Sequence, residues 1–213
     1  MHTVTCYLDF VSPYAQLAFH RLPVELEGTS YAIDYRPVLL GALLQQHGNP
    51  GNAGIAPKRA WTYRHAAWLG HTLGIPLDMP AAHPFSPLPL LRLALATSED
   101  GSINRHVAGL LLDHVWRGGA DANDPARLDA LRAQVPTLRH DPAGAEVKAL
   151  LRANTDAAAA QGVFGVPAFV VGDRVFWGLD SLPMLRACLA GDFWFDGGAW
   201  ARAADVPSGL SSR

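Results

Sequence analysis

The chain has 213 residues, 49% of them apolar and 17% charged. That is ample material for a core and too apolar for disorder, and at about 150 residues per domain it predicts one large domain or one domain carrying an insertion. Seventeen basic against 19 acidic residues give a net charge of −2 with no Lys/Arg run, which argues against nucleic acid as the partner. Cys6 and Cys188 stand at opposite ends, with no CxxC, no zinc-type Cys/His spacing and no disulfide framework. Asp9 interrupts the N-terminal stretch where a secretion signal needs an apolar run, and no apolar segment approaches about 18 residues. The expectation is a soluble, cytoplasmic protein with reduced thiols and no membrane partner.

Thr3 to Phe10 is short, β-branched and aromatic, and predicts a buried strand. Ser12-Pro13 then supplies an N-cap and a proline at the first helical position, with Ala15, Leu17, Ala18, Phe19 and Leu22 as the apolar face and Gly28 near the end. Tyr31 to Val38 alternates and predicts a second strand, so residues 3–38 form a β-α-β unit with a parallel strand pair. Leu39 to Gln46 predicts a short helix, 48–57 a loop, and Lys58 to Leu73 a helix stopped by Gly74. Trp61 and Trp68 in that helix are seven residues apart and are expected in the core. Residues 76–89 are proline-rich and irregular. Helices are predicted at about 87–98, 100–117, 125–134 and 143–161, with Asp124-Pro125 and Asp141-Pro142 as start signals and no strand between 40 and 160. Ala168–Val171, the Gly172-Asp173 turn and Arg174–Trp177 predict a hairpin, followed by a helix over 179–189 and a loose tail over 196–213. The order is α/β: a thioredoxin-like fold (1–40 and 162–195) with an inserted all-α-helical domain (41–161).

Three local features could carry chemistry. Ser12 opens a helix, where unpaired N–H groups and the positive dipole end favour an anion such as a thiolate. Its hydroxyl cannot exchange disulfides but can donate to another molecule's sulfur; the plain alternative is an N-cap only. Val166-Pro167 begins a strand, where a cis bond would turn the Val166 backbone toward an extended ligand; the alternative is an ordinary trans proline in a loop. Gly178-Leu179-Asp180-Ser181 opens the last helix, where N–H groups and the Asp180 carboxylate could hold the carboxylate and ammonium of an amino-acid-like ligand; the alternative is an acidic residue in a first helical turn. Other constellations fail: His65 and His71 lie on different faces of one helix, no metal cluster is visible, and neither GxSxG nor GxxxxGK[ST] occurs.

LDFVSPYAQLA, PKRAW…LGIPL and FGVPAFVVGDRVFWGLD occur in this order over residues 3–190. Together they resemble the 2-hydroxychromene-2-carboxylate isomerases, within the DsbA-like and kappa-class glutathione transferase group. The resemblance implies a thioredoxin-like fold with a helical insert, glutathione as cofactor, an aromatic keto-acid substrate of naphthalene breakdown and a homodimer. It implies that Ser12 holds the glutathione sulfur and that Val166 and Pro167, with a cis bond, bind the cysteinyl part. It implies further that the Leu179 backbone and Asp180 grip the γ-glutamyl end, and that Asn49 and Lys58 line the cleft. The chain departs from the family's pattern at His65, where Asp is frequent, at Trp68, where Arg is frequent, and at Ser181, where Arg is common. Ser12 and Ala15 stand where a disulfide oxidoreductase of this group would carry its two thiols.

Overall fold

A computed structural model describes residues 1–207 and 209. Four strands form one mixed sheet in the order β2-β1-β3-β4. β1 (His2–Leu8) runs parallel to β2 (Tyr31–Pro37), and the hairpin β3 (Ala168–Val171) and β4 (Arg174–Trp177) pairs antiparallel along the other edge of β1. The connection between β1 and β2 is α1 (Pro13–Glu25). Six helices separate β2 from β3: α2 (Leu40–Gln46), α3 (Ala56–Leu73), α4 (Leu88–Ala96), α5 (Arg105–Trp116), α6 (Pro125–Arg132) and α7 (Ala145–Ala160). After the hairpin come a 3₁₀ turn (Leu179–Ser181) and α8 (Leu182–Leu189).

The pleat sorts the sheet's side chains onto two faces. Val4, Cys6, Leu8 and Phe169 join the larger core with α1, α4, α5 and α8, whereas Tyr7, Ala168 and Val170 face Val38, Leu43, Ala158 and Val163 on the opposite side. That two-sided burial explains why β1 reads as a nearly continuous apolar run rather than an alternating one.

The boundaries follow capping chemistry. Asp124 caps α6, its carboxylate accepting the Arg127 N–H at 2.9 Å, and Gly74 closes α3 in the left-handed conformation that favours glycine. Asp141, expected to start α7, caps a turn instead: its carboxylate accepts the Ala143 N–H, and α7 begins at Ala145. α5 is likewise shorter than expected. Its first residues are withheld because the Ile103 N–H donates to Tyr35 O at 2.9 Å, the one isolated bridge among the described residues between 40 and 160, and Asn104 becomes the cap.

Two expectations are corrected. Trp61 and Trp68 are not core residues: they are 65% and 59% exposed, stacked on either side of His65 at centroid distances of 5.9 and 6.3 Å. Their spacing does place them on one helix face, but the inward face of α3 is carried by the small Ala66 and Gly70. The expected loose tail is structured as far as Ala204. α9 (Phe193–Asp196) buries Phe195 against Phe176, and α10 (Ala199–Ala204) lays Trp200 over both rings at 5.6 Å. Arg174 reinforces it, donating to the Asp196 carboxylate at 2.7 Å. The aromatic residues outweigh the Gly197-Gly198 breaker; residues 208 and 210–213 lie outside the described residues.

Candidate functional site

A cavity of about 1020 Å³ opens between the C-terminal ends of the sheet, the start of α1 and the outer helices. Its wall brings together Ser12, Val166, Pro167, Leu179 and Asp180, and also Asn49, from four separate stretches of chain. Lys58 is not in that wall and is exposed on the first turn of α3.

Ser12 holds two positions in the hydrogen-bond pattern at once. Its Oγ accepts the Ala15 N–H at 3.3 Å, the N-cap bond, and donates to Val166 O at 3.3 Å across 154 residues of chain. The cap reading and the functional reading are therefore compatible. The side chain is buried, and its proton rests on a neutral carbonyl that a charged acceptor in the cavity would outcompete. Pro13 has no N–H and the Ala15 N–H is capped by Ser12, so the Tyr14 N–H is the free donor of the first turn of α1, and both Pro13 and Tyr14 line the same cavity. The Val166–Pro167 bond is cis. The Val166 N–H meets no protein acceptor among the described residues, so the strand start presents a free backbone donor beside Ser12.

At the far side Gly178 takes φ +91, and its N–H donates to Pro167 O at 2.9 Å, which ties the Asp180 turn to the cis-proline loop. Glycine suits that position because φ +91 lies in the left-handed half of backbone space that other residues rarely adopt. The Asp180 carboxylate is exposed, and its charge, after burial, contributes to raising the Tyr14 phenol. Ser181 donates to Gly178 O at 2.8 Å and closes the turn without adding charge.

Several groups in the wall carry no signal in the sequence reading. Asp9 is fully buried at the end of β1, its two carboxylate oxygens accepting the Val11 and Leu40 N–H groups at 3.1 and 2.9 Å. Burial pushes it up to about 7, with those bonds pulling the other way. A charged residue ending an apolar strand was the available clue. Tyr14 Oη lies 3.0 Å from His65 Nδ1. Tyr63 and His83 form a second phenol–imidazole pair at 2.8 Å, and Arg59 adds a cation to the same wall. The last three come from α3 and the proline-rich segment, whose mutual approach no local pattern announces.

The Asp9 pair of bonds gives a pH prediction. The folded state holds the Asp9 proton to higher pH than the unfolded chain does. Its contribution to stability is therefore greatest at low pH and declines as pH rises from about 4 to about 7. In Asp9→Asn one amide N–H₂ must face a backbone N–H, costing about 1–3 kcal/mol. Urea unfolding at pH 5 and 7.5 should show the variant clearly less stable at pH 5 and the gap narrowed by at least about 1 kcal/mol at pH 7.5. A gap that is constant with pH would refute the titration.

No group of three or more His, Cys, Asp or Glu able to hold a metal occurs among the described residues, and no helix there is long and apolar enough to cross a membrane. The two cysteines are both buried and both outside the cavity wall; burial also raises the Cys6 thiol far above its ordinary value.

Known proteins resemble the chain over most of its length. A 2-hydroxychromene-2-carboxylate isomerase from Sphingobium xenophagum is 28% identical over 196 residues, covering 88% of this chain and 97% of that one. Human glutathione S-transferase kappa 1 is 26% identical over 219 residues, covering 90% and 92%. The solved structure of a 2-hydroxychromene-2-carboxylate isomerase superposes with a TM-score of 0.72 at 25% identity, covering 97% of this chain and all of that one. The model of the DsbA-like thioredoxin domain matches residues 3–190, and the chain belongs to that family.

Proposed function

We propose that the protein is a glutathione-dependent cis–trans isomerase acting on an unsaturated, aromatic-derived keto acid of the 2-hydroxychromene-2-carboxylate type, in aromatic hydrocarbon catabolism. The observation that carries this reading is the buried Ser12 hydroxyl at the start of α1, beside the free Val166 N–H, in a cavity wall without a cysteine. Such a wall can bind and stabilise a thiolate but cannot supply one.

The donor set fits glutathione. Ser12 Oγ–H and the helix start suit its sulfur, the Val166 backbone suits its peptide, and the Leu179 N–H and Asp180 carboxylate suit the carboxylate and ammonium of its γ-glutamyl end. When bound, glutathione supplies a thiolate that adds reversibly to the substrate's double bond, making it single and free to rotate before expulsion. The protein's part is to hold that sulfur ionised, to orient the acceptor in the remaining apolar volume, and to neutralise its carboxylate, a role for Arg59, since the other arginine in the wall, Arg21, is paired with Glu25 at 3.0 Å. Asn49 sits at the rim, its Oδ1 accepting the Gly51 N–H at 2.9 Å and its amide N–H₂ available to a ligand. Lys58, outside the wall, is assigned no part. The reading carries with it a cytoplasmic homodimer, as its relatives' resemblance implies.

Disulfide exchange of the DsbA type is disfavoured, because Ser12 and Ala15 occupy the thiol positions. The kappa transferase likeness supports one second reading, an enzyme that joins glutathione irreversibly to an electrophile. Incubation with glutathione and 2-hydroxychromene-2-carboxylate separates the two. We expect the trans-o-hydroxybenzylidenepyruvate isomer with glutathione recovered free; a stable thioether would establish the transferase instead, and calorimetry showing no glutathione binding at millimolar levels would remove both.

A further inference from the structure

The pair Tyr63 and His83 is used by none of the roles above, and its hydrogen bonds are unusually determinate. His83 Nε2 lies 2.7 Å from Val11 O, which can only accept, so Nε2 carries a proton. Burial holds His83 below the ordinary imidazole range, although the bond to Val11 opposes it, and the neutral ring therefore has a bare Nδ1. The Tyr63 hydroxyl donates to that Nδ1 at 2.8 Å and has a second acceptor, His83 O, at 2.9 Å. When the ring gains a proton, Nδ1–H donates to Tyr63 Oη. The phenol proton is then released to His83 O or to an acceptor in the cavity. Both protonation states are thus fully satisfied, and in each the phenol proton can turn to a better acceptor. The Tyr63 phenol itself stays protonated, since burial raises it against the opposing charge of Arg59 one turn earlier on α3. The imidazole packs against the uncharged rings of Phe85 and, from α5, Trp116; Arg59 is the charge acting on Tyr63, and no charged side chain contributes to the shift of His83.

We propose that Tyr63, positioned by His83, is the hydrogen-bond donor that stabilises an oxyanion on the cavity's guest, the guest being an enolate or phenolate. In the proposed isomerisation the sulfur–carbon bond forms as the electron pair of the carbon–carbon double bond moves onto the keto oxygen. Tyr63 donates to that oxygen without giving up its proton, and the pair returns when sulfur leaves. His83 acts through Tyr63 and is a positioning residue. The inference rests on the isomerase reading only for the identity of the guest.

The test uses 2,4-dinitrophenolate, a coloured anion that stays ionised over about pH 5 to 8. Tyr63→Phe keeps the ring and removes the donor; circular dichroism checks its fold. Binding of the anion should weaken by about 10- to 100-fold, as for loss of a hydrogen bond to a charged group. The wild-type advantage should grow as pH falls through the His83 ionisation, and that growth should vanish in His83→Gln. The kcat of glutathione-dependent isomerisation in Tyr63→Phe should fall at least about tenfold, with KM changed less than about threefold. Failure of the wild type to bind the anion, binding by Tyr63→Phe within about threefold of wild type, or an unchanged kcat would each overturn the proposal. If the wild type shows no glutathione-dependent turnover while anion binding depends on Tyr63, the isomerase reading falls and the oxyanion site stands.

Discussion

Ser12→Ala should lower glutathione-dependent turnover by about 10- to 100-fold while leaving a folded protein. The Ser12 hydroxyl is the side-chain donor at the start of α1 whose present acceptor, Val166 O, is uncharged. A sulfur anion in its place would receive a charge-assisted bond, and losing such a bond costs about 1.5–3 kcal/mol, which sets that range. The helix start and the Val166 N–H remain, so the loss should stop well short of abolition. The same substitution removes the cap on the Ala15 N–H, worth about 1 kcal/mol, so the melting temperature should fall by about 2–4 °C. Ser12→Thr, which keeps a hydroxyl, should recover much of both. The measurement is steady-state turnover against glutathione concentration beside a thermal melt. A Ser12→Ala protein that turns over within about threefold of wild type would sink the assignment of Ser12.

Trp116→Ala should be the most destabilising single change among the residues discussed, by about 3–5 kcal/mol or about 10 °C in melting temperature. Trp116 is fully buried at the end of α5, where its indole Nε1–H donates to Phe10 O at 2.9 Å and its ring packs 5.5 Å from His83. Truncation leaves a large void, strands the Phe10 carbonyl and loosens the segment between Asp9 and Ser12. Trp116→Phe separates these effects, since it fills most of the space and loses only the hydrogen bond, at about 1–3 kcal/mol. Chemical denaturation of the two variants is the check. Equal losses for Ala and Phe would mean that the hydrogen bond, not the volume, dominates.

The sheet was legible because its signals are local. β-branched runs, the Ser12-Pro13 start and the Gly172-Asp173 turn each lie within a few residues, and each has a single easy reading. Asp141-Pro142 shows the limit of such signals: an Asx turn and an N-cap use the same side-chain acceptor, and here Asp141 makes the turn while α7 starts at Ala145. Trp61 and Trp68 show another, since helical spacing tells which residues share a face but not which face turns inward. At the candidate site, Ser12, Val166, Pro167, Leu179 and Asp180 sit at element boundaries whose local chemistry marked them beside a plainer alternative, and the family resemblance joined them into one set. Tyr63 and His83 could not be named, because their meaning lies in contacts made only after folding, and Asp9 left one clue, a charge at the end of an apolar strand. Arg59 gained its place in the wall, and Lys58 lost one, through the path of α3 alone.

The Ser12–Val166 bond joins residues 154 apart, with seven α-helices between them. During synthesis β1, α1 and β2 therefore leave the ribosome long before β3 and β4 exist to complete the sheet. In that interval the β1 edge that β3 will cover is bare, and the Ser12 hydroxyl has no Val166 carbonyl to meet. No N-terminal fragment ending before the hairpin can carry the site, and a nascent chain stalled there would present an open strand edge to its surroundings.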